Sequence, residues 1–325
     1  MCPYFVLLNG YVLIIIYVYV MKIFTKNEYS PLKQVIVGSA EQATWPTGDK
    51  EFDDSIARST YDATLIPGAL PDNVVQEALE DVDKLVQTLE REGIIVYRPI
   101  ISKPGWSYSA RDILLTAGEH LIECPTPFSS RANEAEQYPF LDTLECKRTK
   151  APRPESKDDP MFDAANVLKL DDKLLYSITH SANQAGAEWL QQVVGTDFEV
   201  IAWKGVEDKV THIDSTILSL NKDTILVNGS RINDDNLPSF MKNYKQIRVD
   251  DTVPRQFEHF PLASKWIGLN VLSLSPDTVI VDEIQTAMIE QLRQNGFNVI
   301  ALPLRQSRTL GGGFHCLTCD IERED

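Results

Sequence analysis

The sequence predicts an α/β protein built from repeats of a strand–strand–helix–strand unit, and three features carry that reading. Strands that follow helices fall near Val96, Val200, Ile247 and Ile300, at gaps that are multiples of roughly 50 residues, a spacing typical of repeat and propeller architectures. Paired short strands recur between the helices. The interval from Val96 to Val200 leaves room for one more unit, with its strand near Lys147, so five units result. Closing them in a ring leaves only short, protected edges, which gives a five-bladed α/β propeller of ββαβ repeats in a single domain. A doubly wound sheet is the other architecture this pattern allows.

The elements follow in order. Residues 34–38 (QVIVG) read as a buried strand. Over 73–92, Val75, Ala78, Leu79, Val82, Leu85, Val86 and Leu89 recur at helical spacing, and Gly93 stands where a C-terminal cap belongs. A β-rich run at 94–97 comes next. The module reappears as helices over 185–194, 237–244 and 283–294, each followed at once by a strand. Strand pairs are expected at 113–116 with 120–123, at 216–220 with 224–227, and at 271–274 with 278–281. Residues 146–159 (CKRTKAPRPESKDD) are the best linker candidate, and otherwise a solvated surface loop.

Residues 1–20 stand apart. The run 5–20 is almost wholly apolar, yet at the short end for a spanning helix. It lacks the basic start and the cleavage site of a signal peptide. The reading is an apolar extension from a start assigned too far upstream of Met21, with a membrane anchor as the alternative, ahead of a catalytic domain over 21–325.

The formal net charge is −16, which excludes phosphate-backbone binding by clustered Lys and Arg and suits attraction of a cationic small molecule. Five cysteines at irregular spacing imply no disulfide framework, so a reducing cytoplasm is expected.

Four segments carry chemistry. In 310–320 (LGGGFHCLTCD), three glycines allow close backbone approach to a ligand, and Cys316 follows them. Its nucleophilic form is the thiolate, which needs a base or a lowered pKa. A Cys316–Cys319 redox pair and a zinc site from His315, Cys316 and Cys319 are the competing readings of this tail. In 211–215 (THIDS), His212 and Asp214 alternate with an apolar residue and would share one face of a strand. In 161–166 (MFDAAN), Asp163 sits between an aromatic and two alanines, a setting in which a carboxylate needs a partner. In 110–113 (ARDI), Arg111 and Asp112 precede a strand, with a surface ion pair as the plain alternative.

Taken in register, GGGFHCLTCD, HID at 212–214, FDAAN at 162–166, ARDIL at 110–114 and SKW at 264–266 resemble the arginine:glycine amidinotransferases and their relatives, over nearly the whole chain. The resemblance implies the pentein-like propeller and transfer of the amidino group of L-arginine to an acceptor amine. It implies Cys316 as nucleophile, His212 as general acid–base and Asp163 as the carboxylate beside it. It also implies that Asp214, Asp112, Arg231 and Ser264 bind substrate, with no metal or organic cofactor. The glycine enzymes carry Asn-Pro-Met where this chain has Lys209, Val210 and Thr211, so Lys209 and Thr211 are expected beside the acceptor, and glycine as acceptor is in question. A guanidino-group hydrolase of the arginine deiminase kind is the alternative within the fold. The expected partners are small molecules, with no nucleic acid or membrane and with a homodimer allowed. A chain begun at Met21 should be soluble and fully active; insoluble or inactive protein would refute the reading of residues 1–20.

Overall fold

The computed structural model describes residues 4–8, 11–15, 22–46, 48–58, 68–206, 210–255 and 262–325. Among them stand five three-stranded sheets of one pattern: an antiparallel pair, then a third strand parallel to the second. They comprise Thr318–Arg323, Leu32–Val37 and Ile95–Tyr97; Leu114–Ala117, His120–Glu123 and Lys147–Lys150; Val167–Leu170, Lys173–Ser177 and Glu199–Trp203; Ile217–Asn221, Thr224–Asn228 and Lys245–Val249; and Leu272–Ser275, Thr278–Asp282 and Asn298–Leu302. The first sheet thus joins an early strand to the last one.

Parallel pairing needs a crossover, and in three sheets a helix supplies it: Asp72–Arg91, Gln184–Val194 and Thr286–Gln294. The longest buries Val74, Ala78, Val82, Leu85 and Leu89 on one face, each large aliphatic side chain contributing about 1.5–3 kcal/mol. It ends at Gly93, whose φ of 79° is the left-handed conformation open to glycine. The predicted helix over 237–244 is only a 3-10 turn, Ser239–Met241. Asn233 holds the preceding segment in a side-chain turn, accepting from the Asp235 and Asn236 amides, and Pro238 offers no N–H. The linker candidate at 146–159 is no boundary, because Lys147–Lys150 is the third strand of a sheet.

Apolar side chains link the sheets in series. Ile36 and Ile321 of the first sheet pack with Leu114 and Leu121 of the second. Leu115 and Ile122 meet Leu174 and Tyr176 of the third. Leu168 and Leu175 join Leu218 and Leu226 of the fourth and Val279 and Val281 of the fifth. Leu272 and Ile280 of the fifth return to Val35 and Val37 of the first. Residues 4–8 and 11–15 pair only with each other, and no helix among the described residues is long and apolar enough to cross a membrane.

Gly38 follows the early strand where the chain packs against the backbone of Ser107 and Tyr108. A Cβ there would collide with the Tyr108 carbonyl and stand 2.7 Å from that of Ser107. Gly38→Ala should therefore lower the unfolding free energy by about 1–3 kcal/mol, the usual cost of overpacking, as read from urea denaturation. An unchanged midpoint would count against this packing.

Candidate active site

Cys316 sits in a single helical turn, Phe314–Leu317, between the three glycines and the last strand. Each glycine is required for its own reason. Gly311 has φ 71° and lies against Leu262. A Cβ on Gly312 would press on Ser109 and on Cys316 itself, at 3.0 and 3.1 Å. One on Gly313 would meet Asn270 at 2.6 Å. That last contact matters because Asn270 Oδ1 accepts the Cys316 amide at 2.9 Å, while its Nδ2 donates to the Asp214 carbonyl at 3.2 Å.

The thiol opens onto a cavity of about 140 Å³. Asp112, Asp214, His212 and Arg131 share its lining, with an aromatic wall of Phe52, Trp106 and Phe128. Cys316 Sγ donates to Asp214 Oδ2 at 3.2 Å. Beside the cavity, Ser55 Oγ lies 2.8 Å from His180 Nε2.

His212 and Asp214 do share the cavity, but not by strand alternation. His212 is extended and caps a 3-10 turn, Ile213–Ser215, which holds Asp214. Asp163 stands behind the histidine, fully buried, with Oδ2 3.0 Å from His212 Nε2. The other ring nitrogen, Nδ1, is 3.7 Å from Asp112 Oδ1. Asp112 is no surface residue: its Oδ2 pairs with Arg131, which also forks onto Glu134 at 3.0 and 2.8 Å. Among the described residues, Asp112 Oδ1 has no hydrogen-bond partner. Arg231 and Ser264 line the same cavity. Arg231 Nη1 donates to Ser215 and Thr216, and Ser264 Oγ caps the turn Lys265–Leu269. Thr211 is also in the wall, its carbonyl held by Thr179 and Ser181. Lys209 lies outside the described residues.

The competing readings of the tail fail on geometry. Cys319 turns to the Leu114 carbonyl, whereas His315 turns to Asp214 and Glu28, so the three side chains do not converge on one point. Arg111 was readable as a surface ion pair, yet it is buried on Glu28 and Asp320. Sequence reasoning missed Asn270, Arg131 and Glu28. A buried asparagine within the apolar run at 267–272 was a usable signal for the first; Arg131 and Glu28 carried none.

Electrostatics separates the groups. Burial raises the Cys316 thiol well above its ordinary range, and Asp214 and Asp112 push it further. Burial opposes the charge on His212, but Asp112, then Asp163 and Asp214, outweigh it and raise the imidazole to about 9. Burial likewise works against the Asp214 carboxylate, yet His315 and then His212 hold its pKa at about 2. Asp112 is raised, by burial and by Asp163, against the pull of His212 and Arg131. At neutral pH the cavity therefore presents a thiol, a carboxylate at Asp214 and an imidazolium.

No protein-family model matches the chain, but known proteins resemble it over most of its length. Inosamine-phosphate amidinotransferase 1 of Streptomyces griseus is 38% identical, over 91% of this chain and 96% of that protein. The L-arginine:L-lysine amidinotransferase of Pseudomonas savastanoi pv. phaseolicola is 27% identical, over 91% and 93%. The solved structure of an inosamine-phosphate amidinotransferase from Streptomyces griseus superposes with a TM-score of 0.87 at 36% identity, covering 93% of this chain and 97% of that one. Identity at this level across almost the full length of both chains identifies the protein as a transferase enzyme of the amidinotransferase family.

Proposed function

We propose that residues 21–325 form a catalytic domain that moves the amidino group of L-arginine to an acceptor amine through a covalent amidino-Cys316, releasing ornithine. The observation that carries this is a thiol that shares one cavity with Asp214 and Asp112, the latter with an oxygen that has no hydrogen-bond partner among the described residues. The five sheets in closed series are the blades of the propeller around it. A planar guanidinium offers paired N–H donors that match carboxylates, and its carbon then faces the sulfur. Arg231 and Ser264 hold the amino-acid end of the donor.

The chemistry follows from the charges. A guanidinium entering between Asp214 and Asp112 offsets the two negative charges that keep the thiol protonated, so a proton leaves as the cation binds. The thiolate adds to the guanidinium carbon. The bond from that carbon to the chain nitrogen breaks as His212 gives that nitrogen its proton, and ornithine departs. His212, now neutral and still held by Asp163, takes a proton from the incoming amine. That amine attacks the amidino carbon, and the C–S bond breaks to restore the sulfur.

Incubation with arginine alone should leave an amidino adduct on the Cys316 peptide, seen by mass spectrometry. Without donor, iodoacetamide should label Cys316 slowly at neutral pH, the rate still rising at pH 9 with no plateau. An adduct on Cys319, or rapid labelling near pH 7, would contradict the scheme. Cys316→Ala should abolish turnover and Cys319→Ala should leave most of it.

The acceptor in this scheme is larger than glycine. Thr211 is smaller than the methionine of the glycine enzymes and lines the cavity, and Lys209 adds a positive charge two residues away that suits an acceptor with an anionic group distant from its amine. The inosamine-phosphate activity named for the 38%-identical relative supports that class. Comparing kcat/KM for glycine and longer amines, wild type should favour the longer ones, and Lys209→Asn/Thr211→Met should narrow the gap. A wild-type preference for glycine that the double variant leaves unaltered would exclude these two positions as selectors.

A further inference from the structure

His315 immediately precedes Cys316 in sequence, yet it does not line the cavity, and its side chain is 4% exposed. Its ring lies between two carboxylates. Nδ1 is 2.9 Å from Asp214 Oδ2, the same oxygen that receives the Cys316 thiol. Nε2 is 3.3 Å from Glu28 Oε2. Glu28 is itself fixed, since Oε2 takes Arg111 Nη1 at 3.1 Å and Oε1 takes the Lys169 amide at 3.3 Å. The backbone of His315 is held as well, its carbonyl accepting from Arg111 Nε at 2.8 Å and from Thr318 Oγ1 at 3.2 Å. A ring so pinned from behind has little freedom left, and its Nδ1 is a fixed point for Asp214.

We infer that His315 is a positioning residue: backed by Glu28 and Arg111, it holds the Asp214 carboxylate at the angle that serves both the Cys316 thiol and the donor guanidinium. The idea rests on the reading of Asp214 as a guanidinium-binding group. Without that anchor, the Asp214 carboxylate keeps the Cys316 thiol as a side-chain donor, and it can rotate away from the guanidinium position while Asn270 still holds its backbone carbonyl. The loss then falls on donor binding and on the first half-reaction. The second half-reaction depends on His212 and Asp163, which His315 does not touch.

The side-chain amides separate this role from a merely structural one. The amide nitrogen of asparagine reaches close to the position of a histidine Nδ1, and that of glutamine close to Nε2. His315→Asn therefore keeps the donor to Asp214 and gives up the one to Glu28; His315→Gln does the reverse. If His315 positions Asp214, Gln should raise the KM for arginine by about tenfold or more, the scale of a lost hydrogen bond to a charged group. Asn should restore it to within a few-fold of wild type, and the breakdown of preformed amidino-Cys316 by acceptor should be similar in both. Equal KM values for the two variants, or better rescue by Gln, would overturn the proposal. Asp214→Asn is the control: if it leaves the arginine KM unchanged, the guanidinium-binding reading has failed and this inference falls with it. Should neither His315 variant fold, the wild-type chain decides. With 15N-labelled histidine, the His315 Nδ1 should carry hydrogen, assigned by its change in Asp214→Ala, and a bare Nδ1 would refute the assignment.

Discussion

Arg111 lies buried with its guanidinium shared among segments distant in the chain: Nη1 on Glu28, Nη2 on Asp320 and Nε on the His315 carbonyl. Lys169 reaches both carboxylates from the third sheet, at 3.8 and 3.6 Å, and Arg323 closes the group from the last strand onto Asp320 and the Ser273 carbonyl. Removing one partner from such an array leaves an uncompensated buried charge, at a cost of about 3–5 kcal/mol. The array holds Glu28 at about 2 and Asp320 well below the usual carboxylate range, against the opposing effect of burial. His315 is tied to the array through its own carbonyl, and Asp214 through the His315 ring and Glu28. The apolar clusters drive the sheets together; the ion array sets how they meet.

The cavity is consequently a product of convergence rather than of any one loop. Asp112 arrives from the start of the second sheet, Asp163 from the start of the third, Asp214 from the start of the fourth, Asn270 from the start of the fifth and Cys316 from the start of the last strand. The same position in each repeat, just ahead of its first strand, supplies a polar group. Repetition of one unit therefore brings five different polar side chains into or directly behind one space, and each can change without rebuilding the unit that carries it.

What the sequence disclosed follows from this division. Local periodicity betrayed the helix Asp72–Arg91, which buries one face and leaves another to solvent, and short apolar runs betrayed the strand pairs, which are buried almost throughout. The tail glycines and the isolated Asp163 stood out because each is an awkward residue for its neighbourhood. Long-range pairing left no such trace. Arg111 looks the same in sequence whether it meets solvent or Glu28, and nothing near Arg131 announces Asp112 and Glu134. The segment with His212 and Asp214 reads as an alternating strand, yet the backbone turns there and aims both side chains at the cavity by another route. The helix expected over 237–244 failed because side-chain turns and a proline decide so short a stretch.

The raised thiol has a meaning for the protein's survival as well as for its chemistry. Peroxide and disulfides react with thiolates, and damage up the oxidation ladder to sulfinic and sulfonic acids begins there. A cysteine kept protonated by burial and by two neighbouring carboxylates offers little thiolate to such reagents. The guanidinium proposed to relieve those charges would also fill the space through which an oxidant would come. On the proposed scheme, Cys316 is in this way shielded at rest and covered when it reacts, so a potent sulfur is kept from the chemistry of its surroundings.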